Sequence, residues 1–167
     1  SAINIPVDVV YLWVDAEEPA WQARRAPFLN ASTHQMHMQH SLSESRFRQS
    51  DELRYSLRSL RNIPWVRNIY IVTDRQVPSW LAENEKVSIV DHSQILPADA
   101  LPTFNSHALA ANLHRIPGIS EDFLYFNDDL FVMEPQSQSV FFGEDGKAKI
   151  YFTPTLQPTD PNLLTNA

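Results

Sequence analysis

Four short runs of apolar, β-branched and aromatic residues constrain this chain more than any other feature. They are residues 7–14 (VDVVYLWV), 68–73 (NIYIVT), 86–90 (KVSIV) and 122–126 (DFLYF). Each has the length of a strand, and their apolar character is near-continuous. That is what a strand covered on both faces requires, and sheets covered on both faces are mainly parallel. Helical patterns lie between the runs. In residues 51–62, Leu53, Leu57 and Leu60 follow i, i+4, i+7 spacing. Ser50 or Asp51 can cap that helix, and Asp51 and Glu52 suit the positive end of its dipole. In residues 105–115, Leu109 and Leu113 give the buried stripe and Asn105 or Ser106 the cap, and Pro117-Gly118 stops the helix. Strand–helix–strand alternation predicts an α/β domain with a mainly parallel sheet and right-handed crossovers.

Composition narrows the function classes. The 167 residues, 43% hydrophobic and 20% charged, suffice for one domain with its own core. A net charge of −7 argues against binding a nucleic-acid backbone. With no cysteine there is no disulfide framework, thiolate metal site or cysteine nucleophile. That fits a reducing compartment. Three glycines leave room for neither a P-loop nor GxGxxG. No apolar run reaches membrane-spanning length and no secretory signal opens the sequence, so the expected location is cytoplasmic.

The candidate chemistry gathers where apolar runs turn polar. Phe126-Asn127-Asp128-Asp129 drives a strand directly into an amide and two carboxylates. Ligands of open α/β sheets bind at the carboxyl ends of strands, and adjacent carboxylates there are hard oxygen donors for Mg²⁺ or Mn²⁺. The plain alternative is a polar turn. Asp15 and Asp74 end two other runs in the same way, which predicts an acidic rim along one sheet edge. His107 falls in the first turn of the second helix, a natural anion site and a possible place for a base. His114 and Arg115 close that helix and could meet phosphate oxygens, or simply balance its dipole. Trp13, beside Asp15, could stack on a base or sugar. His34, His37 and His40 are spaced three apart, but no other ligand pattern accompanies them, so zinc is not assigned there. Residues 30–49 are polar and aperiodic, and are expected to form a mobile loop able to close over a ligand. The 153–167 tail is expected to be extended, with residues 1–152 forming the core.

Five segments, in this order, resemble the Stealth proteins: residues 8–15 (DVVYLWVD), 51–60 (DELRYSLRSL), 64–80 (PWVRNIYIVTDRQVPSW), 101–120 (LPTFNSHALAANLHRIPGIS) and 123–131 (FLYFNDDLF). That family includes bacterial capsular polysaccharide phosphotransferases and the GlcNAc-1-phosphotransferase α/β precursor. The resemblance runs to about Phe131 and corresponds to the family's first and second conserved regions. Ala16 stands where the family usually has glycine, and the third and fourth regions have no counterpart here.

The resemblance implies a Rossmann-like, GT-A-like core. It also implies transfer of hexose-1-phosphate from a UDP-hexose to a sugar hydroxyl, in capsular or exopolysaccharide synthesis. Under it, Asp128 and Asp129 hold Mg²⁺ or Mn²⁺. Trp13, Asp15 and Asp74 cradle the nucleoside, while Asn105, Ser106, His107 and His114 meet phosphate or acceptor. Arg115 offsets charge, and Asp128 or His107 takes the acceptor proton. The expected partners are a nucleotide-sugar donor and a saccharide acceptor, with peripheral association at the inner face of a bacterial membrane compatible. The rival readings are a metal-dependent glycosyltransferase of GT-A type, and a fragment that binds without turnover.

Overall fold

The computed structural model describes residues 4–29, 50–82 and 84–143. Strand β1 (Val7–Leu12) is followed by helix α1 (Pro19–Leu29) and helix α2 (Ser50–Ser59). Strands β2 (Val66–Thr73) and β3 (Val87–Asp91) come next, then the short helix α3 (Ser106–Ala110) and strand β4 (Asp122–Phe126). The four strands form one sheet in the order β3-β2-β1-β4, and every pairing is parallel. The α/β, Rossmann-like expectation is met. The ladder of β1 ends at Leu12, short of the expected Val14, although the Trp13 amide still donates to Val72 O at 2.9 Å.

Central position explains the apolar runs. On β1, Val7, Val9 and Tyr11, with Trp13 beyond it, share one cluster with Leu53 and Leu60 from the α2 side. Val10 joins the opposite cluster with Leu109, Leu113 and Ile116. Val7, Val9, Val10 and Tyr11 are fully buried. At about 25 cal/mol per Å² of apolar surface, this two-sided burial is the main force holding the sheet.

The helix expected over 51–62, with its cap at Ser50 or Asp51, is α2 over Ser50–Ser59 followed by a 3-10 turn over Leu60–Asn62. The second helix departs from expectation. A continuous helix to Arg115 is predicted, but α3 stops at Ala110 and a separate 3-10 turn spans Leu113–Arg115. Asn112 turns its amide back onto Ala108 O at 2.7 Å, the local competition that makes asparagine a poor helix-interior residue. The Asn105 cap forms, its side chain accepting from the His107 amide at 2.9 Å. Gly118 takes φ 80 after Pro117, which only glycine adopts without strain. The 30–49 loop, the three histidines within it and the 153–167 tail lie outside the described residues.

The entry edge of the sheet is pinned by a buried charge. Asp8 has no exposed surface. Its carboxylate accepts from Arg67 Nε at 3.0 Å and Nη2 at 2.8 Å. It also accepts from the Asn68 amide at 2.9 Å and the Ser120 amide at 2.7 Å. The Asp8 amide donates to Ser120 Oγ at 2.9 Å. Strands β1 and β2 and the approach to β4 are thus tied at one point. Burial alone would raise the Asp8 carboxyl. The Arg67 bonds, the two amides and the Arg67 charge outweigh it and hold the group below its ordinary range.

Candidate active site at the carboxyl edge of the sheet

The strand order decides where a ligand can lie. The chain steps outward from β1 to β2 to β3, then returns to place β4 on the other side of β1. The β1-to-β2 connection packs α2 on one face of the sheet and the β3-to-β4 connection packs α3 on the other, which makes the β1/β4 junction the switch point at whose carboxyl ends open α/β sheets bind ligands. Asp15 lies beyond β1, Asp74 directly follows β2, and Asp128 lies just beyond β4. Since the three strands are parallel neighbours, all three carboxylates belong to the same edge.

The Asp15 loop is held by a residue that sequence reasoning missed. Gln76 Oε1 accepts from the Asp15 amide and Gln76 Nε2 donates to Asp15 O, each at 2.9 Å. Gln76 is buried, and its own carbonyl accepts from Thr73 Oγ1 at 2.8 Å. The exits of β1 and β2 are therefore locked by one side-chain amide. Between them Arg75 sits at φ 54, its amide accepted by Asp91 Oδ1 at 2.8 Å. Gln76→Ala leaves two main-chain groups of Asp15 unsatisfied, at about 1–3 kcal/mol each where buried. We expect it to lower the melting temperature by several degrees, which calorimetry would measure.

Around Asp74 lies a cluster of buried polar groups. Arg24 Nη2 donates to Asp74 O at 2.9 Å and stands 3.7 Å from Asp74 Oδ2. His92, another residue missed from sequence, is 3% exposed at the end of β3. Neither of its ring nitrogens has a hydrogen-bond partner among the described residues. Burial pushes the His92 imidazole below its ordinary range, while the charges of Asp74 and Asp91 oppose that shift. Trp13 needs a correction. It is 5% exposed and belongs to the core cluster, so it presents no open face for stacking.

Helix α1, which the sequence did not reveal, brings in the next segment. Phe104 packs edge-on to Trp21 at 5.7 Å and against Phe28 at 5.6 Å. Val14 and Ala16 join that small cluster, which anchors residues 103–107 beside the Asp15 loop. Asn105, Ser106 and His107 therefore come to the rim, with Asn105 spending its side-chain oxygen on the cap. His114 and Arg115 do not. They precede Gly118, whose carbonyl accepts Arg67 Nη2 at the Asp8 pin, so the chain has run toward the opposite edge by then.

Asp128 and Asp129 occupy the middle of a turn closed by the Leu130 amide on Asn127 O at 3.1 Å. Asp128 is 9% exposed and Asp129 is half-buried. Burial pushes the Tyr11 phenol far above its ordinary range; the Ser56 hydroxyl opposes this and the charge of Asp128 adds to it, which places that carboxylate near the phenol. Among the described residues no group of three or more His, Asp or Glu side chains gathers as a metal cage. Two adjacent carboxylates suit a hard cation that takes its remaining oxygens from phosphates and water.

A parallel α/β sheet with carboxylates, amides and a capped short helix at its switch point defines an α/β, Rossmann-like domain with a candidate ligand crevice. Family comparison makes the assignment specific: Stealth protein conserved region 1 matches residues 6–33 and conserved region 2 matches residues 46–150. The chain belongs to the Stealth family. It is 44% identical over 156 residues to a capsular polysaccharide phosphotransferase of Aeromonas hydrophila, covering 92% of this chain and 43% of that protein. It is 46% identical over 157 residues to one of Neisseria meningitidis, covering 90% and 42%. Against an exopolysaccharide phosphotransferase of Streptomyces coelicolor it is 48% identical over 162 residues, covering 95% and 17%. The chain thus spans less than half the length of these relatives. No helix among the described residues is long and apolar enough to cross a membrane.

Proposed function

We propose that the protein carrying this chain transfers hexose-1-phosphate from a UDP-hexose to a saccharide hydroxyl during capsular or exopolysaccharide synthesis. The observation that carries this reading is the Asn127-Asp128-Asp129 turn at the β1/β4 crevice, in a chain 44–48% identical to proteins named as phosphotransferases. The acceptor oxygen attacks the β-phosphorus. The bond from that phosphorus to the bridging oxygen breaks, and uridine monophosphate leaves. Catalysis of such a transfer is mostly positioning and charge stabilisation.

In this reading Asp15 and Asp74 hold the nucleoside side of the donor, on the backbone that Gln76 fixes. Asp128 and Asp129 would hold Mg²⁺ or Mn²⁺, whose contribution is to neutralise the diphosphate. Asn105, Ser106 and His107 face the phosphate or the acceptor. Arg24, beside Asp74, would supply the charge expected of Arg115, and Arg75 stands at the same edge. Two rim groups can receive the acceptor proton, Asp128 and His107, and replacing each by a non-titrating amide side chain (Asp128→Asn, His107→Gln) separates them. The reading places the reaction in the cytoplasm, where nucleotide sugars are made.

The leaving nucleotide is the decisive measurement. With a UDP-hexose and an acceptor sugar, the intact protein should release uridine monophosphate and form a phosphodiester detectable by phosphorus NMR. Release of uridine diphosphate with a glycosidic product would assign the site to glycosyl transfer instead.

A further inference from the structure

Beyond the turn that carries Asp128 and Asp129, the chain runs down the flank of helix α2. Ser56 Oγ donates to Leu130 O, and the Val132 amide donates to Ser59 Oγ at 2.9 Å. Asn62 Nδ2 donates to Val132 O at 2.6 Å, and the Gln136 amide donates to Asn62 O at 3.1 Å. A groove of about 380 Å³ lies between these segments, lined by Tyr55, Arg58, Arg61, Phe131 and Met133. Tyr55 and Met133 are 55% and 69% exposed, unusual for large apolar side chains. Arg54, Arg58 and Arg61 are all exposed. Arg54 and Arg58 lie one turn apart on α2, about 6 Å along its axis, and Arg61 follows in the 3-10 turn; Arg58 and Arg61 line the groove. The Arg58 guanidinium stands 5.8 Å over the Tyr55 ring, which pre-orients it. Among the described residues, the ion pairs are Arg24–Asp74 and Arg67–Asp8, and neither involves these three arginines.

We propose that this groove is a track for a polyanionic acceptor, a glycan whose sugars are joined by phosphodiesters. The inference rests on the phosphotransfer reading above. Each transfer leaves one phosphodiester and one negative charge on its product, so a glycan grown by successive transfers is a polyanion. A guanidinium grips phosphate oxygens as a fork, and an exposed aromatic ring gives a sugar face something to lie on. The overall charge of −7 repels polyanions in general, so affinity must come from a local cationic strip, and this is one. Continuity supports the same occupant. The groove is walled by Phe131, Val132 and Met133, three to five residues after Asp128, so it follows the rim turn closely along the chain.

The test is direct binding, independent of turnover. A synthetic oligomer of hexose-1-phosphate units is titrated by calorimetry into the intact protein, beside a neutral, glycosidically linked oligomer of equal length. The phosphodiester oligomer should bind more tightly as its phosphates increase, and R58Q/R61Q should weaken it about tenfold, with unchanged melting temperature. The neutral oligomer should bind at least tenfold more weakly and be indifferent to the substitutions. Arg58→Lys/Arg61→Lys should keep most of the affinity. Equal affinity in wild type and R58Q/R61Q, equal binding of the neutral oligomer, or no binding by the wild type would each overturn the track. The nucleotide released scores the other reading separately. A protein that binds the oligomer through these arginines yet releases nucleoside diphosphate keeps the groove and loses the phosphotransfer. One that transfers hexose phosphate with unchanged acceptor affinity in R58Q/R61Q keeps the phosphotransfer and loses the track.

Discussion

Asp128→Asn is expected to leave the domain folded and to cut hexose-phosphate transfer at least about 100-fold in the intact protein. The substitution keeps the shape of a 9% exposed side chain in a turn and removes its charge. Asp128 sits at the crevice between β1 and β4, beyond the packed strand, so little core contact is lost. If the carboxylate pair holds Mg²⁺ as proposed, the wild type has a second signature. Mg²⁺ should tighten UDP-hexose binding, and UDP-hexose should tighten Mg²⁺ binding by the same factor, because linkage is reciprocal. Asp128→Asn should erase that coupling. Calorimetry that finds equal UDP-hexose affinity in Mg²⁺ and in a chelator would remove the metal from the reading and return Asp128 and Asp129 to a polar turn.

Asp8→Ala should have the largest effect on stability. It strands the buried Ser120 amide and the Asn68 amide, and it leaves Arg67 without its bidentate partner. Each stranded amide costs about 1–3 kcal/mol where buried, while the half-exposed Arg67 can turn to water, so the melting temperature should fall by about 10 °C for a domain of this size. A fall under about 2 °C in calorimetry would show that the pin is dispensable. The pH dependence has a definite sign. The folded Asp8 carboxyl is held below its ordinary value of 3.8, so its stabilisation is complete above that value and is lost as pH falls through the folded one. His92 works in the same direction at milder acidity. Its folded imidazole lies below the ordinary 6.5, so the domain loses stability as pH falls below that value and the unfolded chain takes up the proton. Asp8→Ala should abolish only the lower of the two losses.

The parallel sheet was legible because burial on both faces leaves a mark on every residue of a strand. A central strand such as β1 can hardly be anything but near-continuously apolar, and its run gives way to Asp15 where cover ends. The same logic exposed Asp74 and Asp128. The Asn105 cap was legible because its partner, the His107 amide, is two residues away. Helix α1 was not, since among its described side chains Trp21 alone is buried and the others form no apolar stripe.

What only the tertiary structure decided depends on residues distant in sequence. The order β3-β2-β1-β4 turns three separate carboxylates into one rim and makes β1/β4 the crevice. No local pattern encodes which strand returns beside which. Gln76 reaches Asp15 across 61 positions, and Asp8 reaches Ser120 across 112. Each of these side chains is unremarkable where it stands in the sequence, because a polar residue inside an apolar run is explained only by the partner that satisfies it. Trp13 and Arg115 show the converse. Their neighbours in sequence suggested ligand contact, but the pleat turned one ring into the core and the chain direction carried the other group toward the far edge. Local chemistry fixes which face a residue can occupy; long-range packing fixes what it meets there.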